Sequence, residues 1–160
     1  MVAQYRAASI PETICQSSSG QINFPTTYQT SNDIFIGNVN GVNTEFSIVA
    51  WAGVNGASYF QWRYNNNGTI FTDVFNIPYN MNDLDVCILL RPNNWFVLIA
   101  YKDVSIPKLL AYKFNPINKT FTFVSNTTLG NGNGIYTDIQ IDSDQSEHFF
   151  VVWDQPNNTE

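Results

Sequence analysis

The sequence predicts an all-β fold built on an internal repeat of about fifty residues. Three observations carry this. Phe and Tyr dominate the aromatics, which favour pleated, half-buried surfaces, while Glu, Lys, Ala and Met are scarce. Asn, Thr, Gly and Ser are common, as short strands joined by tight turns require. Three segments also open alike: Asp33-Ile34-Phe35-Ile36, Asp85-Val86-Cys87-Ile88 and Asp138-Ile139-Gln140-Ile141, spaced 52 and 53 residues apart. Hydrophobic residues make up 44% of the 160 and charged residues 12%, enough apolar material for a core, so a folded chain is expected.

Each opening segment reads as a first strand and leads into a polar turn. The turns are Asn38-Val39-Asn40-Gly41, Arg91-Pro92-Asn93-Asn94 and Asp142-Ser143-Asp144. A strongly apolar second strand follows: Phe46–Trp51, Phe96–Tyr101 and Phe149–Trp153, each ending in a large aromatic. These strands hardly alternate, so they are expected to be covered on both faces. Third strands are predicted at Tyr59–Asn65 and Leu109–Asn115, and fourth strands around Thr69–Phe71 and Thr120–Phe123. The last copy stops after its second strand. The N-terminus offers matching pieces: Tyr5-Arg6 resembles Trp62-Arg63 and Tyr112-Lys113, and Ile10–Cys15 reads as a fourth strand.

Four short strands per unit of this length resemble the blade of a β-propeller. The resemblance covers most of the chain and matches no named subfamily. There is no Gly-His…Trp-Asp pairing, with Trp153-Asp154 occurring once, no kelch double glycine and no Asp-rich calcium loop. The architecture is also similar to small fungal and bacterial fucose-binding lectins, which assemble propellers from short multi-blade chains. The expected organisation is a single domain over 1–160. A half blade at 1–30 completes the last blade, whole blades span 31–81 and 82–132, and a half blade lies at 133–160. Propellers carry about four to eight blades, so three blade equivalents do not close alone. Two chains give six, joined head-to-tail as a C2 ring with shared junction blades. A β-sandwich with Greek-key connections is the rival fold, but leaves the repeat and the split third copy unexplained.

The net charge of −6 and the scattered Lys and Arg disfavour nucleic-acid and anionic-membrane partners. No stretch is long and apolar enough for a membrane helix. The start, Met1 to Arg6, lacks the apolar stretch of a secretory leader, which fits a cytosolic chain, or a mature or excised segment with an added Met1. A soluble protein is expected, with secretion left open. Four glycosylation sequons, at Asn67, Asn118, Asn126 and Asn157, are about what chance gives in a chain this rich in Asn and Thr. Cys15 and Cys87 are too few for a disulfide framework and match no metal motif; buried free thiols are expected, one disulfide being the alternative.

Catalytic motifs are missing. His148 is the only histidine, and neither a Gly-x-Ser-x-Gly nor a His-Glu-x-x-His pattern occurs. Gly130–Gly134 is an inter-blade loop without the strand–helix setting of a phosphate loop. Asp73, Asp83, Asp85, Asp138 and Glu147 are the candidate carboxylates for glycosidase chemistry, which needs two facing one bond. Asp33, Asp85 and Asp138 recur once per repeat, and structural duty at the start of a first strand explains that better. Asp142–Glu147 reads as a solvated hairpin in preference to a calcium loop, because the other copies lack acids there. No cofactor or metal is expected.

The favoured function is non-catalytic, multivalent carbohydrate binding on the assembled ring. Sugars need an aromatic face beside polar groups. Two recurring sets fit: Trp51, Tyr101 and Trp153 at the ends of second strands, and Tyr5-Arg6, Trp62-Arg63 and Tyr112-Lys113. The alternative is that these rings pack between blades while the cations reach outward. Trp95, at a predicted hairpin tip, is expected to be exposed. A protein-interaction scaffold without retained activity is the runner-up function, and a propeller glycosidase the third.

Overall fold

A computed structural model describes residues 27–39, 41–53, 58–91, 94–104, 106–130, 139–144 and 148–153. Strands make up 83% of them and none is helical. The protein is therefore all-β, as its composition predicts. Tyr5, Arg6, Ile10, Cys15, Asp138 and Glu147 lie outside the described residues, and so do residues 1–26 of the half blade predicted at 1–30 and the end of the chain beyond Trp153; residues 27–30 of that half blade belong instead to the first strand of the first sheet.

Three antiparallel sheets follow one another along the chain. The first contains β1 (Thr27–Val39), β2 (Val42–Gly53), β3 (Ser58–Asn66) and β4 (Thr69–Ile77). The second contains β5 (Leu84–Arg91), β6 (Asn94–Asp103), β7 (Ile106–Asn115) and β8 (Thr120–Thr128). The third pairs β9 (Ile139–Ser143) with β10 (Phe149–Trp153). The two four-stranded sheets are simple meanders in strand order. Turn chemistry fixes their hairpins. Asn67 and Gly68, joining β3 to β4, both have positive φ, 48° and 88°. That is the two-residue turn whose twist matches flanking strands. At the β1–β2 hairpin Gly41 takes φ 84°, and its amide donates to Asn38 Oδ1 at 2.7 Å.

The sheets stack face to face through their first strands, β1 against β5 and β5 against β9. One apolar cluster fills the first seam. Phe46, Ile48, Phe60, Trp62 and Tyr64 come from the first sheet, and Leu84, Val86, Ile88, Val97, Ile99, Tyr112 and Phe114 from the second. A smaller cluster fills the second seam, where Cys87, Leu89, Leu98, Ala100 and Ala111 meet Ile139 and Ile141. The middle sheet is thus covered on both faces, the physical reason for its unbroken apolar runs. Val97 and Leu98 are adjacent on β6 and both buried, one in each seam.

Trp95 corrects an expectation. It is only 4% exposed. Its ring meets Phe46 at 5.6 Å and Tyr64 at 5.7 Å, both edge-on, at the hairpin end of the first seam. A hairpin tip is exposed only when no neighbouring sheet covers it, and here β1 and β2 do.

Cys87 is a free thiol buried in the second seam. Burial pushes its pKa up, and the Asp33 carboxylate adds to the shift. A thiolate is therefore strongly disfavoured in the folded chain. Cys87 is expected to resist iodoacetamide at pH 8 in native protein and to react fully in 6 M guanidinium, as peptide mass mapping would read. Native-state labelling would show that the second seam opens readily.

Candidate functional site

The recurring aspartates join neighbouring sheets. Asp33 Oδ1 accepts from its neighbour Ile34 N at 2.7 Å, while Oδ2 reaches across the seam to accept from Ile88 N, also at 2.7 Å. Asp85 repeats the device one sheet later. Its Oδ1 accepts from Val86 N at 3.0 Å and its Oδ2 from Ile141 N at 2.9 Å. Ser31 adds a hydroxyl donor to Asp85 Oδ1, and Ser143 Oγ donates to the Ile88 carbonyl at 2.8 Å. Amides on the free edge of a first strand would otherwise be left without a partner. Burial raises the pKa of Asp33, while the Ile88 and Ile34 amides pull it down. The predicted partners were turn amides; the actual ones include the first strand of the next sheet.

The other carboxylates are dispersed. Asp83 is buried, and its Oδ2 lies 3.0 Å from Lys102 Nζ in an ion pair. Asp73 is exposed and accepts from Val74 N at 2.8 Å. His148 Nδ1 meets Asp144 Oδ2 at 2.9 Å on the exposed β9–β10 hairpin. Among the described residues no group of three or more His, Cys, Asp or Glu could hold a metal ion. No helix among them is long and apolar enough to cross a membrane.

The candidate sugar-binding aromatics lie in packed surroundings. Trp51, Trp62, Tyr101 and Tyr112 are all buried. Trp51 stacks on Tyr59 with ring centres 5.8 Å apart, and Trp62 packs on Phe114 at 5.3 Å. Tyr101 exchanges a hydrogen bond with Asn126 at about 3 Å. Burial lifts the Tyr112 hydroxyl to about 12. Trp153 is half-buried and packs against the second-seam cluster. Trp62, Tyr101 and Tyr112 fill the first seam and Trp153 borders the second, while Trp51 is buried on the other face of the first sheet, so these rings leave little face for a sugar.

Strand register explains why Trp62-Arg63 and Tyr112-Lys113 do not share a structural position. Asp33 pairs with Ile48, and Ile48 with Trp62. Asp85 pairs with Ala100, and Ala100 with Leu109. Leu109, not Tyr112, is thus the counterpart of Trp62. The odd offset of three residues turns the side chain to the other face. Trp62 and Tyr112 enter the same seam from opposite sheets. Their cations diverge too: Arg63 Nη1 binds Glu45 Oε1 at 2.8 Å across β2 and β3, whereas Lys113 is exposed.

Lys113 borders a concavity between the first two sheets. A cleft of about 460 Å³ opens where the hairpin ends of the first two sheets meet. Tyr64, Trp95 and Phe114 form its base, while Val39, Val42, Pro116 and Ile117 give apolar walls. Thr44, Asn66, Lys113 and Asn115 supply polar groups around it. Among the described residues no acidic side chain lines it, in a chain of net charge −6. An apolar hollow of this size with a few polar groups is the usual form of a small-ligand site. Of the predicted sugar-binding residues that are described, only Lys113 belongs to it. Trp95 was singled out by sequence for exposure, the opposite of its actual setting. Asn66 and Pro116 carried a signal only as turn residues.

Compared with known proteins, the chain matches no family model, no curated protein and no solved structure.

Proposed function

We propose that the chain is a non-catalytic, carbohydrate-binding module of β-propeller type that closes a six-bladed ring as a homodimer. The cleft between the first two sheets carries the binding part of this reading. Its apolar walls suit the C–H face of a sugar ring, and Thr44, Asn66 and Lys113 suit hydroxyl groups. The non-catalytic part is supported by the duties of the carboxylates, since Asp33 and Asp85 are occupied by backbone amides and Asp83 by Lys102. The propeller part is supported by sheets stacked through their first strands, with the same carboxylate link at both seams. Two copies supply the missing blades, and ring closure makes binding multivalent.

Calorimetric titration with a panel of mono- and disaccharides tests the binding reading. Saturable binding is expected for at least one sugar. Lys113→Ala should weaken it by roughly tenfold, the worth of about one charged hydrogen bond. Lys113 is exposed and carries no ion pair among the described residues, so the fold should be unchanged. Absence of binding across the panel at millimolar sugar would reject carbohydrate as the ligand.

A further inference from the structure

We infer that the outward face of the β9–β10 sheet docks on the β1 face of a second copy, extending the observed seam. The inference rests on the assembly proposed above and names the surfaces that meet. Each seam observed within the chain joins the trailing face of one sheet to the leading face of the next. On β5, the leading-face residue Ile88 is fully buried against the first sheet, and on β9 its counterpart Ile141 is 6% exposed against the second. The counterpart on β1 is Ile36, and it is 74% exposed. Ile36 also borders a hollow of about 530 Å³ together with Asn43 and Glu45, room for side chains from outside.

The trailing face shows the matching deficit. In the middle sheet Leu98 is 4% exposed and Phe96 half-buried, both packed into the second seam. Register places Val152 and Phe150 at the same positions of the third sheet, since Ile139 pairs with Trp153 as Val86 pairs with Ile99. Val152 and Phe150 are each 60% exposed. Val151 and Trp153, which alternate with them, pack inward against the second seam. One end of the stack therefore shows Ile36 uncovered on the leading strand, and the other shows Phe150 and Val152 uncovered on the trailing sheet.

The occupant follows from continuity with the two seams already formed. Ile36, Phe150 and Val152 are each the counterpart of a residue that this chain packs against its own neighbouring sheet. A second copy is the partner that brings the complementary face on the same fold. The Ile36 amide completes the match. Asp33 and Asp85 each hold the amide of Ile88 or Ile141. The Ile36 amide has no such carboxylate across from it among the described residues. Because Ile36 and Val152 lie on different surfaces, the contact is head-to-tail and closes after two copies if the rotation allows.

Cross-linking tests the contact directly. Two single-site variants, Ile36→Cys and Val152→Cys, are made in a Cys15→Ser background and mixed under mild oxidation. Cys87 is buried and stays silent. Covalent dimers linking position 36 to position 152 are expected only from the mixture, with each variant alone giving almost none. Dimers formed by either variant alone would indicate a like-to-like contact and overturn the proposal. In sedimentation, the parent chain should run at twice its 18.1 kDa mass. Val152→Asp should run at the single mass with an unchanged β-sheet spectrum, and a folded Val152→Asp that keeps the double mass would also overturn it. Sugar titration of the same samples separates the two readings. A 36–152 cross-link without sugar binding retires the ligand and keeps the interface, and sugar binding by a strictly monomeric parent chain does the reverse.

Discussion

Phe114→Ala is expected to destabilise the folded chain by about 3–5 kcal/mol, the range for emptying a buried aromatic site. Folded domains hold only about 5–15 kcal/mol in total, so this variant should melt far below the parent protein. The size follows from what the ring touches. Phe114 is 1% exposed and stands at the centre of the first seam. It stacks on Phe46 with centres 4.6 Å apart and meets Phe121 at 4.9 Å, Trp62 at 5.3 Å and Tyr64 at 5.7 Å. These partners come from both sheets, so the cavity cannot close by moving one strand. Aromatic contacts of this kind contribute beyond the area they bury. Ile117→Ala is the control: the side chain is 82% exposed and should change stability by less than about 0.5 kcal/mol. Urea unfolding followed by tryptophan fluorescence measures both. A loss for Phe114→Ala no larger than the control's would mean that the seam is not a cooperative core.

Asp85→Ala has the second largest expected effect, a loss of about 2–4 kcal/mol. Its carboxylate serves the amides of Val86 and Ile141 and the hydroxyl of Ser31. Truncation takes this acceptor from the Ile141 amide and the Ser31 hydroxyl, while the Val86 amide keeps Ser31 Oγ at 3.2 Å, and stranding a partly buried donor costs more than its bond contributes. Asp85→Asn keeps one acceptor oxygen and should lose roughly half as much. The order Ala worse than Asn, in thermal melts at fixed protein concentration, identifies a backbone-binding duty. Equal, negligible losses for both would show that the seam does not depend on this carboxylate.

The parts of the fold legible in the sequence were those set by local chemistry. Asn67-Gly68 announces its hairpin, because few other pairs tolerate two successive positive φ angles. The unbroken apolar run of β6 announces a sheet covered twice, and both seams confirm it. The Asp33 and Asp85 repeat was visible at its true spacing, since both residues make the same link from a first strand to the next sheet, although β1 begins six residues before Asp33. Hidden was the register between strands. An aromatic followed by a cation looks the same at Trp62-Arg63 and Tyr112-Lys113, yet strand pairing sets them three residues apart and on opposite faces. Trp95 was misjudged for a related reason. A tip residue flanked by Asn looks exposed until the neighbouring sheet is known. The cleft was illegible as a unit, because its base and walls come from five strands and a turn, and no local pattern links Thr44 to Lys113.

The carboxylate links at the two seams give the chain the energetics of a linear array. Among the described residues each sheet packs on the sheet before it and the sheet after it, so stability is the sum of unit terms and nearest-neighbour couplings. The second sheet has two couplings and the third, with two described strands, has one. Unfolding should therefore begin at the third sheet and travel inward, the Ile141 amide losing its protection before that of Ile88. Closing the array into a ring would remove both ends at once. Cooperativity would then be a property of the closed assembly, and no sheet would be the first to leave.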